Sequence, residues 1–379
     1  MGKISVFCLM VFLLVFGAQA QWQFMATNAE ITAVTGETSY YSGPIGTNGA
    51  GLFAVVCNKT ASKILLINPA TPTNKVQLLA TQQNLVDAVN AANGDHADVT
   101  KVTIVGIDFN GDGKIIACSD GSSPEEAALF ALEPTVPTTI YVLSCAVGST
   151  GTSPLEGSMG VEVGGGYSAC VLVNDFYGAA EDAVLQVDVS TLVNDGSAPV
   201  SSFIGETALQ TASGDADPAF CDLAFSPDGI ILGNSGASGN NDNLVCYYDN
   251  MVAPPSLYLY LAATDIESDI ANTDIGYNAL AVDSVGNVFL ANSFGSGTAD
   301  DGIIMIQNIS SPNGDATIFN TETEIATDLG NPSGSVYFGN DGIVYDAFGN
   351  RLVLTTSGSG LEGVIYKALT SSVSDWALY

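Results

Sequence analysis

Short apolar runs separated by glycine-containing turns recur along almost the whole chain. One copy reads Val105-Gly106-Ile107-Asp108-Phe109, a turn Asn110-Gly111-Asp112-Gly113, then Lys114-Ile115-Ile116-Ala117-Cys118, a polar loop, and Ala128-Leu129-Phe130-Ala131-Leu132. Others read Asp222-Leu223-Ala224-Phe225 before Ile230-Ile231-Leu232-Gly233-Asn234, and Ala279-Leu280-Ala281-Val282 before Asn287-Val288-Phe289-Leu290-Ala291-Asn292. Runs of this length, bounded by Gly, Asp, Asn and Ser, predict strands joined by tight turns. A copy at residues 342–366 keeps the order. The copy around Gly164-Gly165-Gly166 replaces the Asp-containing turn, and the first, at residues 52–67, is the loosest.

The residue closing the second strand falls at Asn58, Cys118, Asn174, Asn234, Asn292 and Thr356, at intervals of 60, 56, 60, 58 and 64 residues. Such regular spacing, with turns rather than helices between strands, predicts an all-β, six-bladed β-propeller of four-stranded antiparallel blades. A β-sandwich does not explain six spaced copies. Outer strands are expected at Thr139-Ile140-Tyr141-Val142-Leu143 and Leu257-Tyr258-Leu259-Tyr260-Leu261. Either residues 24–34 or the terminal Trp376-Ala377-Leu378-Tyr379 is expected to complete a blade begun at the other end of the chain, hiding sheet edges. Residues 82–92 are the one expected helix. The recurrent Asn residues are expected to be structural, bonding the loop beyond them.

The first 20 residues differ from the rest. Lys3, the apolar run from Ile4 to Phe16 and Ala18-Gln19-Ala20 form a charged start, an apolar core and a small-residue cleavage site. They predict a signal peptide over 1–20 and a single propeller domain over 21–379. The apolar run is shorter than the roughly 20 residues a membrane span needs. The expected mature protein is therefore secreted, extracellular and without membrane insertion.

Charge narrows the partners. The 379 residues carry 40 acidic against 8 basic side chains, a formal net charge of -32, which repels nucleic acid and anionic lipid. Partners left open are an extracellular protein, a glycan or a second copy of the chain. An exported chain with Cys57, Cys118, Cys145, Cys170, Cys221 and Cys246 permits disulfides; Cys221–Cys246 and Cys145–Cys170 are the preferred pairs. Asn58-Lys59-Thr60 and Asn308-Ile309-Ser310 are glycosylation sequons, so a glycoprotein is expected where the cell modifies its exports.

Candidate chemistry is confined to oxygen donors. Asp108, Asn110 and Asp112, with Gly113 turning the chain, match the first half of a calcium loop, and Asp120 is placed to bend in where Ser119 replaces the closing Glu. A plain hairpin turn is the competing reading. Asp222, Asn278 and Asp341, with Glu162 in the third copy, begin or occupy first strands, which line the channel of a propeller. They are candidates to converge on one cation or, alternatively, to cap strands. Calcium is the cofactor either set implies. The lone His96 lies in a polar loop, and no nucleophile elbow, phosphate loop or dinucleotide fingerprint appears in its required context. Catalytic residues are not assigned.

The run from Tyr277 to Asn292, with Asn340-Asp341-Gly342-Ile343-Val344-Tyr345 and Leu352-Val353-Leu354, resembles the calcium-dependent six-bladed propellers that include gluconolactonases, senescence-marker-type lactonases, paraoxonase-like and strictosidine-synthase-like proteins, and is similar to NHL repeats. That resemblance spans residues 100–370 and implies a divalent ion held by a Glu of the first blade and by Asn and Asp at inner-strand starts. Asn278 matches such an Asn and Asp341 falls in a comparable motif. Asp222 comes after Cys221 rather than Pro, and no Glu-Gly-Pro motif occurs in the first copy. Asp108 to Gly113 is also similar to the calcium loop of integrin-type propellers, with Ile116 where an Asp is usual. Two functions are expected: a non-catalytic extracellular binding or structural protein, stabilised by calcium, or a calcium-dependent lactonase or esterase-like hydrolase.

Overall fold

A computed structural model describes residues 20–40, 42–57, 61–93, 99–120, 126–146, 153, 155–164, 168–173, 182–215, 218, 220–227, 229–234, 245–249, 256–270, 275–292, 302–307, 315–358 and 360–369. The chain forms six four-stranded antiparallel sheets, each built from consecutive strands except the last. Blade one holds β2 (Ile45–Thr47), β3 (Phe53–Cys57), β4 (Lys63–Ile67) and β5 (Val76–Thr81). Blade two holds β6 (Thr103–Phe109), β7 (Ile115–Asp120), β8 (Leu129–Leu132) and β9 (Ile140–Ser144), and blade three β10 (Ser158–Gly164), β11 (Ser168–Val173), β12 (Ala183–Asp188) and β13 (Val200–Ile204). Blade four holds β14 (Phe220–Phe225), β15 (Gly229–Asn234), β16 (Val245–Asp249) and β17 (Ser256–Leu261). Blade five holds β18 (Tyr277–Val282), β19 (Val288–Asn292), β20 (Gly302–Ile306) and β21 (Ala316–Thr321). Blade six combines β22 (Tyr337–Asp346), β23 (Arg351–Ser357) and β24 (Gly363–Ala368) with β1 (Gln23–Thr27), which pairs antiparallel with β24 from Gln23 opposite Tyr366 to Thr27 opposite Gly363. The amino-terminal strand is thus the one that closes the ring, and the edge of β24 is covered. The alternative closing segment, residues 376–379, lies outside the described residues.

The core is divided among six apolar clusters, each shared by two neighbouring blades. Ala54, Ile64 and Leu66 of blade one meet Ile107, Ala117 and Phe130 of blade two in one cluster, while Phe53 and Leu65 of blade one meet Val353 and Val364 of blade six in another. Each blade is therefore buried on both faces. That is why the middle strands read as continuous apolar runs, such as Phe53-Ala54-Val55-Val56-Cys57, rather than alternating ones.

The same division corrects the expected disulfides. Cys221 and Cys246 face different clusters on opposite sides of blade four, and Cys145 and Cys170 belong to clusters separated by blades two and three. The six described cysteines are buried and not joined in disulfides, and Cys221 Sγ donates instead to Gly233 O at 3.4 Å. In native protein prepared without residues 1–20, a thiol reagent is expected to modify none of these six, and all six once the chain is unfolded in denaturant without reductant; fewer than six would revive a disulfide.

Short helices form a fifth part of the repeat that the strand pattern does not announce. The expected helix α2 (Gln82–Ala92) is present, and α1 (Asn28–Thr35), α3 (Glu206–Ser213), α4 (Ala263–Ile270) and α5 (Glu322–Asp328) join it, each directly after an outer strand. Capping boxes start three of them: Thr27 with Glu30, Thr81 with Asn84 and Thr321 with Glu324. Four residues after each strand-to-helix junction comes a fully buried anchor, Ile31, Leu85, Leu209, Ile266 or Ile325. Helices this short need such packing to persist. The junction of Thr, then Glu or Asn three residues on, then an apolar residue is a repeat signal in its own right.

Candidate functional site

The inner strands β2, β6, β10, β14, β18 and β22 surround the ring axis. In blades two to six the ladder between the inner strand and its neighbour slips once, at Ile104/Gly106, Ser158/Gly160, Phe220/Asp222, Tyr277/Ala279 and Phe338/Ile343. A bulge re-aims the side chains around it. The slip is longest in blade six, where Asp341 takes a left-handed backbone with φ 49°, a conformation Asp tolerates better than most residues.

Four carboxyl groups from four blades meet around the axis: Asp108 on β6, Glu162 on β10, Asp222 on β14 and Asp341 on β22. Asp108 Oδ2 accepts the Val163 N–H of the next blade at 2.8 Å. Asp222 is 1% exposed and accepts two amides, Leu223 N–H through Oδ1 and Leu280 N–H of blade five through Oδ2, both at 2.7 Å. Glu162 meets Asp108 side chain to side chain, and Asp341 meets Asp222 in the same way. Gly160 lies beside both members of the second pair: a Cβ added there would make ordinary contact, 3.6 Å from Asp222 Oδ1 and 4.0 Å from Asp341 Oδ2. Asp341 is 3% exposed, and no amide, hydroxyl or amine among the described residues bonds its Oδ2.

Burial and mutual repulsion raise all four proton affinities. Removal from water pushes Asp108 up to about 6 against the Val163 and Phe109 amides, and Asp222 up to about 7 against the Leu280 and Leu223 amides. Glu162 is driven well above the usual carboxylate range by burial and then by Asp108 and Asp222. Asp341 is driven well above it by burial and then by Asp222, Glu162 and Asp108. No basic group is among the causes for any of them. Described cations are engaged elsewhere: Lys63 with Glu37, Lys75 with Glu30, Lys114 with Glu133 and Arg351 with Asp346, while Lys101 lies near Asp120.

The structure thus redistributes the residues expected to bind cations. Asp108 leaves the turn it begins and joins Glu162. Asn110 Oδ1 accepts the Asp112 and Lys114 amides at 3.1 and 2.9 Å, and its Nδ2 donates to Val189 O. That is the turn-forming role played by Asn48, Asp283 and Asp346, whose side chains accept the amides of Ala50, Val285 and Phe348 in the corresponding hairpins. Asp112 is exposed at the tip. Asp120, at the end of β7, is pushed up to about 6 by burial, with Glu126 adding and Lys101 opposing. Asp222 and Asp341 do come together; the side chain of Asn278, the bulged residue of β18, lies outside the described residues. Among the described residues no three His, Cys, Asp or Glu side chains are placed to hold a metal ion. His96, both sequons, Asn58 and Asn174 also lie outside them. Asn292 accepts the Gly276 amide at 2.7 Å, which leads into the inner strand of its own blade rather than out along the next loop. The signal for the axial role of Asp108 and Glu162 was a single acid inside an otherwise apolar inner strand.

No protein family model matches the chain. No curated protein matches it either. Solved structures do resemble it in shape. A structural genomics protein of unknown function from Bacteroides thetaiotaomicron superposes with a TM-score of 0.52 at 10% identity, over 92% of this chain and 76% of that one. YjhT superposes with a TM-score of 0.51 at 11% identity, over 88% and 96%. At such identities the likeness is one of fold alone.

Proposed function

We propose that this chain is an exported, non-catalytic propeller that presents its loops to an extracellular protein or glycan, or to another copy of itself. The observation that carries this reading is the use of the axial carboxylates. Asp108 and Asp222 each spend an oxygen on a backbone amide of the neighbouring blade, as parts of the scaffold rather than as groups held free for a substrate. The export half rests on the leader-like residues 1–20, whose removal leaves the closing strand from Gln23 intact. Charge sets the partner class: a surface with 40 acidic and 8 basic residues suits neutral or cationic partners and attracts calcium as a stabilising ion. Among the described residues no helix is long and apolar enough to cross a membrane.

One feature favours the second reading, a calcium-dependent lactonase or esterase: Asp222 and Asp341 converge over Gly160 instead of pointing apart. The two readings separate in one experiment. Purified mature protein is assayed with a panel of lactones and aryl esters in calcium and in chelator, while its melting temperature is tracked in both. The binding reading expects no turnover above buffer and a higher melting temperature in calcium. Turnover that disappears in Asp222→Asn while the fold persists would establish the hydrolase instead.

A further inference from the structure

We propose that β17, the outer strand of blade four, pairs antiparallel with β17 of a second copy of this chain, joining two propellers edge to edge about a two-fold axis. β17 reads Ser256-Leu257-Tyr258-Leu259-Tyr260-Leu261, ends its sheet and carries no charge. Tyr258 and Leu259 are each 40% exposed. As neighbours in a strand they point to opposite faces, so apolar surface reaches water on both sides of this edge. Tyr258 stands opposite Tyr247 on β16, their rings edge to face at 5.6 Å, and Leu259 stands opposite Cys246. Both side chains are thus seated on the sheet rather than carried on a loop tip. A strand that ends a sheet turns alternate N–H and C=O groups outward, and an apolar edge of that kind is a template for another strand.

The other outer edges are built differently. β9 is already extended by residues 194–198: Cys145 N–H donates to Gly196 O at 3.3 Å, Gly196 N–H to Val142 O at 3.1 Å and Ala198 N–H to Leu143 O at 2.8 Å. An outer strand of this propeller therefore does accept a further strand. At β21, which exposes Ile318, Asp269 Oδ2 of α4 takes the Ala316 N–H at 2.9 Å. Just ahead of β1, Asp328 Oδ2 takes the Trp22 N–H. β13 exposes only Ser201 and Ser202, and every residue of β5 is at least partly buried.

Charge and strand pattern both select a second copy as the occupant. With a net charge of -32, two copies repel wherever their surfaces bring acids together, so they meet best along a strand that has none. A cationic protein would be drawn instead to the acid-bearing surface. Turned antiparallel about an axis between residues 258 and 259, the strand is its own complement: Tyr258 of each copy lies opposite Leu259 of the other. Opposed side chains are the unit that stabilises a strand pair, and a Tyr ring offers a large apolar body with a hydroxyl that stays wet. The pairing consumes β17 of both copies, so it closes at a dimer and does not propagate. It names one partner within the binding reading above and rests on that reading only in taking association as the protein's work.

Sedimentation velocity of protein prepared without residues 1–20 is run from about 1 to about 100 μM, in about 0.05 M and about 0.5 M salt. Dimer is expected at the upper concentrations and grows with salt, because screening weakens the repulsion between acidic copies. Hydrogen exchange at residues 256–261 should slow as concentration rises. Tyr258→Glu and Leu259→Glu, each entering the two-fold seam twice, are expected to weaken association by more than about tenfold. Their monomers should melt within about 4 °C of wild type, since both positions are exposed. Phe348→Glu, on a hairpin tip, should leave association unchanged. A monomer at every concentration and salt, a dimer that salt weakens, or a dimer untouched by both β17 variants would overturn the pairing. Turnover of a lactone or ester by the same samples would overturn the binding reading and leave the pairing standing.

Discussion

Replacing Trp22 by Ala is expected to cost the propeller about 3–5 kcal/mol, the usual range for emptying a buried aromatic site, read as a fall in the urea midpoint with unchanged slope. The indole is 1% exposed and packs with Phe289 and Ile303 of blade five and Leu352, Leu354 and Ile365 of blade six. It also ties the ends of the chain together. Trp22 Nε1–H donates to Asn320 Oδ1 and its backbone N–H to Asp328 Oδ2, both at 3.1 Å, while Lys367 Nζ bonds the same Asn320 oxygen at 2.9 Å. Truncation therefore opens a cavity at the seam of the ring and withdraws a donor from a buried amide. Phe348, 74% exposed on a hairpin tip, is the control: Phe348→Ala should move stability by less than about 0.5 kcal/mol. Equal effects for the two would mean that the seam does not hold the ring.

Gly106→Val is expected to be damaging for the opposite reason, at or beyond the upper end of the roughly 1–3 kcal/mol typical of overpacked sites. A Cβ at 106 would stand 2.3 Å from Val161 N and 2.7 Å from Gly160 C. Those atoms are backbone of the neighbouring inner strand and cannot turn aside as a side chain would. Blades two and three would have to part, shifting the strand that carries Glu162 and Gly160 beside Asp222 and Asp341. Gly113 is the informative contrast. It has φ 75° but nothing within 4 Å of its missing Cβ, so Gly113→Ala meets backbone strain alone and should cost about 1 kcal/mol. Thermal unfolding of the two variants side by side separates blade contact from turn conformation; a Gly106→Val protein as stable as Gly113→Ala would contradict the close approach of the inner strands.

The expected calcium loop shows how local pattern and tertiary role diverge. Alternating oxygens at Asp108, Asn110 and Asp112 look like one ligand set in sequence, yet β6 ends at Phe109 and the hairpin turn beyond it claims Asn110 for itself. Asp108 therefore meets Glu162, 54 positions away, while Asn110 serves its own turn. The cysteines obey the same logic. Cys221 and Cys246 lie near each other in one repeat, but a sheet stands between their side chains, and cluster membership decides pairing where spacing does not.

By itself the sequence determined the repeat, its six copies, the turn chemistry, the helix at Gln82–Ala92 and the all-β class. Each of these is written in a few neighbouring residues, in apolar run length and in Gly, Asn and Asp at the turns. The capping-box helices were equally local and legible in principle, through Thr27, Thr81 and Thr321 and the apolar anchors behind them. Only the tertiary structure decided that Gln23–Thr27 closes the ring, that the thiols face separate cores, and that four acids from four blades share one axis. Those facts depend on how blades rotate about that axis and on where the inner strands of blades two to six slip. Such relations join positions tens to hundreds of residues apart, and no periodicity along the chain encodes them.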